Sequence, residues 1–383
     1  MYYNKLVIKF YLFGDILKAL RFIKKNIVFC IAFFAATVTC FFVLPDKEYL
    51  GYFDWKTLSC LFLTLAVVCA LRNIKFFTIL ARKLVTMVRN LRSLFLVLII
   101  ITFIGSMIIA NDMALITFLP LGYFALSVTK QEKYMAYLFV LQNISANLGG
   151  MLTPFGNPQN LYLYSKFNIP DGEFVRIMFP PFILAIALIT LCCLIFVKKE
   201  ALEIEESDVK LPIGRVAIYL ALFAVAIMMV FRFMPYQVGL IIIPLALIFL
   251  DKKALMQVDY GLLFTFVFFF IFAGNMGRID AVRDFFSYLL NINTLVFSAL
   301  SCQVISNVPS AILLSQFTDN YRELLLGVNI GGAGTLIASL ASLITFKEYT
   351  KQDPDHVKQY VVKFSLFNFG FLITLTLFCL ILL

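Results

Sequence analysis

The sequence predicts an all-α polytopic membrane protein, folded as two inverted repeats that each contain a re-entrant hairpin and a broken helix. Three observations predict this fold: an excess of apolar residues, a one-sided distribution of basic residues, and a motif that occurs twice. Of the 383 residues, 62% are hydrophobic and 14% are charged, whereas a soluble domain is about half apolar and about one quarter charged. A chain with this much apolar surface requires a bilayer.

Apolar runs that approach the roughly 20 residues of a membrane helix recur along the chain. The candidate spans are 27–44, 57–72, 134–165, 174–197, 215–232, 237–250, 261–278, 322–346 and 362–383. No small-residue cleavage site follows the first run, so we expect it to stay as a membrane helix. Two further apolar stretches, 93–128 and 293–318, are predicted to be hairpins that enter and leave the membrane by the same face.

The basic residues support this topology. With both hairpins re-entrant, about three quarters of the 32 Lys and Arg residues fall on one face of the membrane. The positive-inside rule makes that face cytoplasmic and places the N-terminus on it. The net charge of +10 therefore indicates topology and attraction to the lipid bilayer, and we expect no nucleic-acid partner. The predicted location is the cell membrane, inner or plasma.

These patterns divide the chain into four segments. They are a basic interfacial N-terminal segment (1–25), a first membrane repeat (26–200) with hairpin 93–128 and broken helix 134–165, a cytoplasmic linker (201–213), and a second membrane repeat (214–383) with hairpin 293–318 and broken helix 322–346.

The repeated motif predicts a break in each half. The stretches 147–153 and 329–335 both read N-[LI]-G-G-x-x-T in the middle of a long apolar span. Each follows a hairpin and a short amphipathic segment, 74–90 or 280–290, that suits a helix in the interface plane. A glycine pair loosens a membrane helix, and the freed backbone groups are tolerated where they line a cavity or bind an ion. The first hairpin begins from the cytoplasmic face and the second from the outside, so the two halves are inverted relative to each other. Inverted repeats of this kind are typical of secondary transporters.

Polar side chains mark the predicted solute site. Asp112 lies deep in an apolar stretch, where an acidic residue costs about 3 kcal/mol, so it is predicted to take up a coupling proton or sodium ion. Asn111 and Asn307 offer donors and acceptors at the hairpin tips, and a sodium site at Asn111, Asp112 and Asn307 is predicted. The other candidates line the breaks and the second tip: Asn147, Gly149, Gly150, Thr153, Gly156, Asn157, Ser306, Asn329, Gly331, Gly332 and Thr335. Helix capping by Asp112 and hydrogen bonds between helices are the structural alternatives.

The stretch 146–160, together with Asn111-Asp112 and Ser306-Asn307, resembles the citrate transporter-like, or ion transporter, superfamily. Its members include arsenite-efflux permeases, sodium/proton antiporters and divalent anion:sodium symporters. The resemblance covers about residues 57–383 and implies a scaffold, a mobile transport domain, a homodimer, and two hairpins that meet near mid-membrane. In the dicarboxylate symporters each tip carries Ser-Asn-Thr, of which this chain keeps the two asparagines and one serine.

The predicted function is secondary active transport of an anion by alternating access, coupled to sodium or protons. The anion is a di- or tricarboxylate such as citrate, or an oxyanion such as arsenite. The alternative is a sodium/proton antiporter that uses Asp112. No cofactor is expected beyond the coupling ion, although a separate ATPase partner, as some arsenite permeases have, stays open. An enzyme would need paired acids, a histidine cluster or a nucleophile–base pair in the bilayer. Only Asp112 is a candidate for such a group, so no enzymatic activity is expected.

Overall fold

The computed structural model describes residues 27–202 and 211–383. The predicted segment 1–25 and most of the linker 201–213 lie outside the described residues. Within those two ranges the secondary structure is α-helix, short 3-10 turns and one isolated bridge between Asn90 and Ala201. Seven of the described helices are long and apolar enough to cross a membrane. The prediction of an all-α polytopic membrane protein is confirmed.

The first half contains eight α-helices among the described residues. They are α1 (Ile27–Cys40), α2 (Trp55–Asn73), α3 (Phe76–Thr86), α4 (Leu91–Ile109), α5 (Asn111–Val128), α6 (Met135–Gly149), α7 (Pro158–Lys166) and α8 (Asp171–Phe196). Side chains cap the N-termini of several of these helices. The Asp54 carboxylate accepts from the backbone N–H of Thr57 at the start of α2, and the Asn90 side chain accepts from the backbone N–H of Ser93 at the start of α4. Such caps satisfy the orphan N–H groups of a helix start.

The second half has the same order of elements after two spans. Its helices are α9 (Ile213–Val230), α10 (Tyr236–Leu250), α11 (Lys252–Met256), α12 (Tyr260–Gly277), α13 (Asp280–Ile292), α14 (Thr294–Ile305), α15 (Asn307–Leu314), α16 (Tyr321–Ile330), α17 (Leu340–Gln352) and α18 (Val357–Leu382). Helices α3 and α13 cover the two predicted amphipathic segments. The short helix α11 was not predicted.

A single residue with positive φ joins the two arms of each hairpin. Ala110 connects α4 to α5 with φ 66° and ψ 148°, and Ser306 connects α14 to α15 with φ 75° and ψ 159°. Residues other than glycine rarely adopt this conformation, so the surrounding contacts must hold it in place. The arms lie against each other, since the Ser301 and Ser310 hydroxyls share a hydrogen bond of 2.9 Å in the second hairpin.

The two hairpins differ in length. The arms of the first have 19 and 18 residues, and those of the second have 12 and 8. At 1.5 Å per residue, a 12-residue arm reaches about 18 Å, too short for a hydrocarbon core of about 30 Å. The arms of the first hairpin are long enough to cross by length alone. Nevertheless, the tip of this hairpin lies beside the first helix break, and α7 continues the broken span for a further 9 residues beyond that break.

Both long spans are interrupted at the repeated motif. Helix α6 ends at Gly149, a 3-10 turn and extended residues follow, and α7 begins at Pro158. Helix α16 ends at Ile330, and α17 begins at Leu340. Proline suits the first turn of α7 because a helix start leaves its N–H groups unbonded in any case. Neither 144–160 nor 328–340 is a continuous helix.

Helix α6 forms the centre of the described structure. All of its residues, Met135 to Gly149, are buried. It packs against both arms of the first hairpin and against α8, α17 and α18. Because α6 belongs to the first half and α17 and α18 to the second, this helix joins the two halves and places the first break inside the protein.

Candidate functional site

The first hairpin tip is bonded to the first break. The backbone N–H of Asn111 donates to the carbonyl of Gly156 at 3.1 Å. The Asn111 side chain donates from Nδ2 to Oδ1 of Asn147 at 3.3 Å, and its Oδ1 accepts from the backbone N–H of Asp112 at 3.0 Å. This last bond sets the orientation of the amide, because only its oxygen can accept. Asn111 therefore connects the tip to both sides of the break.

The second tip is bonded to the second break in the same way. The backbone N–H of Asn307 donates to the carbonyl of Ala338 at 2.9 Å. The Asn307 Oδ1 accepts from the backbone N–H of Val308 at 2.9 Å. The Ser306 hydroxyl also donates to the Ala338 carbonyl, at 3.3 Å. The two halves thus repeat the contacts of their tips as well as their order of helices.

The tips and breaks of both halves meet in one cluster. A Cβ added to Gly332 in the second break would lie 3.1 Å from Nδ2 of Asn307 and 3.6 Å from Oδ1 of Asn147. Across the same region, Asn157 Nδ2 donates to Asn329 Oδ1 at 3.1 Å. The buried asparagines of this cluster therefore come from both hairpins and both breaks.

The glycines of the two motifs have different surroundings. A Cβ on Gly149 would lie 2.3 Å from the carbonyl oxygen of Phe103, and one on Gly331 would lie 2.8 Å from Sγ of Cys302. These first glycines let each broken helix approach its hairpin closely. By contrast, a Cβ on Gly150 would meet Oδ1 of Asn157 at 2.3 Å. Gly150 therefore lies on the side of the polar cluster, while Gly149 and Gly331 contact the hairpins.

Several buried polar atoms of the cluster have no hydrogen-bond partner among the described residues. The acceptors are Asp112 Oδ1, Asn157 Oδ1 and Gln159 Oε1, and the donor is Asn147 Nδ2. Buried polar groups are normally paired, so each of these atoms requires an explanation. Carboxylate and amide oxygens are the ligands of a small hard cation, and an amide NH2 donates to an anion. This one region can hold both kinds of ligand.

The two tips differ in the space beside them. Next to Ser306 and Asn307, described residues of α1, of α12–α15 and of 337–343 line a partly open apolar cavity of about 810 Å³. Next to Ala110, the cavity between α2 and α7 has about 10 Å³. Open space therefore lies on the side of the second hairpin that faces α1 and α12, whereas the first tip is closely packed.

The chain matches the citrate transporter family over residues 19–320. It belongs to that family. An uncharacterized transporter of Methanocaldococcus jannaschii is 33% identical over 311 residues, which are 80% of this chain and 84% of the relative. The inner membrane protein YbiR of Escherichia coli is 27% identical over 80% of this chain and 83% of its own length. A silicon efflux transporter of rice, Oryza sativa subsp. japonica, is 28% identical over 42% of this chain and 33% of its own length.

These findings make the protein a multi-pass membrane transporter and confirm the predicted superfamily. The family match includes the first break and both hairpin tips of this citrate transporter family member. Its last matched residue is 320, so the second break lies beyond it. The contacts of Asn329 and Gly332 with first-half residues connect that break to the matched region.

Two residues hold the breaks of this family member and were not among the predicted site residues. Asn160 Nδ2 lies 3.2 Å from each of three backbone carbonyls in the first break, those of Gly150, Met151 and Thr153. Gln303, on the second hairpin, donates to the carbonyls of Gly331 at 2.8 Å and Ala333 at 3.1 Å. Asn160 lies in a G-N-P-Q-N sequence at 156–160, a local signal that could have identified it, whereas Gln303 has no comparable signal.

A second polar network was also missed. Asn143 Nδ2 donates to the Ser342 hydroxyl and to Asn368 Oδ1, both at 3.3 Å, and its Oδ1 accepts from the Thr345 hydroxyl at 3.3 Å. All four residues are buried. They join α6 to α17 and α18 one helical turn from Asn147. The spacing of Asn143 and Asn147 on one helix is the signal that could have identified this network.

Proposed function

We propose that this citrate transporter family member carries a small anion across the cell membrane by alternating access, driven by a sodium or proton gradient. The observation that supports the proposal is the combination of ligand groups in one buried cluster. Asn147 Nδ2 is a donor without a partner, and Asp112 Oδ1 and Asn157 Oδ1 are acceptors without partners. The free donor suits an anion, and the free acceptors suit a cation.

The charge of the cluster supports coupling of the two ligands. Asp112 is acidic, and none of the proposed site residues is basic. Two like unit charges 4 Å apart repel by about 4 kcal/mol at an effective dielectric constant of 20. An anion beside an ionised Asp112 is therefore unfavourable until a proton or sodium ion neutralises the carboxylate. Because binding of the cation lowers the cost of binding the anion, the two cross together.

The proposed roles follow from the positions of the residues. Asp112, with Asn111 and Asn307 at the two tips, binds the coupling ion. The amides of Asn147 and Asn307 donate to the anion. The start of α7, at Pro158, adds the positive end of a helix dipole at the first break. The remaining predicted residues shape the breaks or supply backbone carbonyls to them.

The surroundings of the second tip support movement of the second hairpin during transport. The cavity of about 810 Å³ beside Ser306 and Asn307 offers the space that such movement requires. We propose a homodimer in the inner or plasma membrane, with the N-terminus in the cytoplasm. Mass measurement in nanodiscs tests the dimer. Co-purification of an ATP-hydrolysing protein would instead identify a permease subunit of a pump.

A sodium/proton antiporter is the second candidate function. The unpartnered Asp112 Oδ1 favours it, because a buried carboxylate with a free oxygen can exchange a proton for sodium. This candidate predicts that sodium added to inverted vesicles changes their internal pH with no other solute present. The anion transporter predicts no such response until its anion is added.

The experiment that tests the proposed function is transport into proteoliposomes. The solutes are citrate, succinate, sulfate, phosphate, arsenite and, in view of the rice relative's name, silicic acid. Each is offered under an imposed sodium gradient, an imposed proton gradient, or neither. We expect accumulation of at least one anion that stops when the gradient is removed. Accumulation of none of them, together with sodium-dependent pH changes, would instead identify the antiporter.

A further inference from the structure

The asparagine at each hairpin tip is oriented in the same way but meets a different neighbour. In the first half, Asn111 Nδ2 donates to Asn147 Oδ1 at 3.3 Å. The residue that corresponds to Asn147 in the second motif is Asn329. Asn307 Nδ2, however, makes no hydrogen bond to Asn329 or to any other described residue, although its Oδ1 is held by the backbone N–H of Val308 as in the first half.

The reason is that Asn329 is fully engaged elsewhere. Its Oδ1 accepts from Asn157 Nδ2 at 3.1 Å and from Gln159 Nε2 at 3.3 Å. Its Nδ2 donates to Asn160 Oδ1 at 2.6 Å and to the carbonyl of Leu325 at 2.8 Å. A carbonyl can only accept, so the bond to Leu325 fixes the orientation of the amide. Two donors and two acceptors saturate it.

All three of the side chains that hold Asn329 come from the Gly156–Asn160 stretch of the first half. They are buried, with Asn157 and Asn160 at 0% exposure and Gln159 at 1%. The second half has no G-N-P-Q-N sequence, and there the break carbonyls are held instead by Gln303 of the hairpin. The two halves therefore share a motif but use its asparagine differently.

We infer that Asn157, Gln159 and Asn160 form a clamp that turns Asn329 away from the second hairpin, so that the Asn307 amide is left free to donate to the transported solute. Asn329 and Gln159 are then positioning residues, and Asn307 contacts the solute. The last step rests on the proposed function, whereas the clamp itself does not. The clamp makes the two-fold cluster asymmetric.

Gln159 offers a direct test, because its one side-chain hydrogen bond goes to Asn329, and the Asn307→Ala background described below separates the loss of this bond from the loss of its free Oε1. Gln159→Leu removes that bond and opens an acceptor position on Asn329 Oδ1, which we expect Asn307 Nδ2 to occupy. We expect the KM for sodium- or proton-driven uptake of radiolabelled citrate to rise about tenfold, with the maximal rate retained. A tenfold change corresponds to the net free energy of roughly one hydrogen bond. An unchanged KM would overturn the inference.

Gln142→Leu is the matched control. Gln142 is also a fully buried glutamine of the first half, but it donates to Thr102 and to the carbonyl of Phe118 within the first hairpin. A general loosening of the fold would change both variants alike, so KM should rise in Gln159→Leu alone. In an Asn307→Ala background, Gln159→Leu should produce no further rise. Independent, multiplying effects would show that Gln159 does not act through Asn307.

A second measurement tests whether the clamp exists, and it requires no solute. Thermal unfolding in detergent is compared for wild type, Gln159→Leu, Asn329→Ala and the double variant. The clamp predicts that the double variant loses clearly less Tm than the sum of the single losses, because both changes remove the same bond. Additive losses would overturn the clamp. Absence of citrate uptake by the wild type would count against citrate as the solute, and this thermal cycle would still decide whether the clamp exists.

Discussion

The hydroxyls of Thr153 and Thr335 make the same hydrogen bond in the two halves. Thr153 donates to the carbonyl of Met107 at 2.7 Å, and Thr335 donates to the carbonyl of Gln303 at 3.1 Å. Each acceptor lies three residues before its hairpin tip. The carbonyl three residues after each threonine accepts the backbone N–H of the tip asparagine. The repeated motif therefore encodes the docking of a hairpin as well as the break in a helix.

The close approach at Gly149 leads to the first prediction. Gly149→Ala would place a methyl group 2.3 Å from the carbonyl oxygen of Phe103, which is backbone and cannot rotate away. We expect a loss of about 3 kcal/mol in the free energy of unfolding, measured by thermal unfolding in detergent. Gly370→Ala is the control, because a Cβ there meets nothing within 4 Å. It should be neutral or stabilise α18 by up to about 1 kcal/mol. Equal losses in both variants would contradict the packing role of Gly149.

The first hairpin tip leads to the second prediction. Ala110 has φ 66° and ψ 148°, a conformation that costs a residue other than glycine roughly 1–3 kcal/mol. Ala110→Gly should therefore raise the free energy of unfolding by about 1 kcal/mol after the added freedom of the unfolded chain is subtracted. Ala114→Gly, in the interior of α5, should lower it. A loss of stability in Ala110→Gly as large as that in Ala114→Gly would refute the strained tip.

Asp112 is the subject of the third prediction. Asp112→Asn keeps the size of the side chain but removes its charge and its ability to release a proton, so gradient-driven uptake into sealed vesicles should fall to background. Asp355→Asn removes an acidic group from an exposed loop and should leave uptake unchanged. Undiminished gradient-driven uptake by Asp112→Asn would exclude this carboxylate as the coupling group.

The buried network around Asn143 leads to the fourth prediction. Asn143→Ala removes the one described donor to Asn368 Oδ1, while the Ser342 and Thr345 hydroxyls keep their bonds to Ser339 and to the Ala341 carbonyl. A buried oxygen left without a donor costs about 1–3 kcal/mol, so we expect a clear fall in Tm. Asn291→Ala, on the exposed face of α13, is the control and should leave the Tm within a degree or so of the wild type. A similar Tm for the two variants would show that the network contributes little to stability.

The helices, breaks and hairpin tips could be predicted from the sequence because each has a local cause. Apolar runs indicate membrane helices, paired glycines in such a run indicate a break, and an asparagine between two apolar arms indicates a polar tip. Local signals also placed α3 and α13. They could not separate a long hairpin from a short one, because the apolar stretches 93–128 and 293–318 do not show where each arm leaves the membrane.

The partners of Asn329 could not be predicted. Asn147 and Asn329 occupy the same place in the repeated motif, and the sequence indicates the same role for both. Their difference arises from the G-N-P-Q-N side chains, which lie about 170 positions away in the chain and reach Asn329 only after the halves have packed. Gln303 was missed for the same reason, because the carbonyls of the second break to which it donates lie about 30 positions further along the chain.

The central claim is that the buried cluster formed by the two hairpin tips and the two breaks binds the coupling ion and the anion. The measurement that tests it most directly is gradient-driven uptake by Asn111→Ala and Asn307→Ala, with whichever solute the wild type accumulates. Gln142→Leu serves as the folded control. The account predicts at least a tenfold rise in KM or an equal loss of rate in both tip variants, with Gln142→Leu close to wild type. Wild-type KM and rate in either tip variant would contradict it.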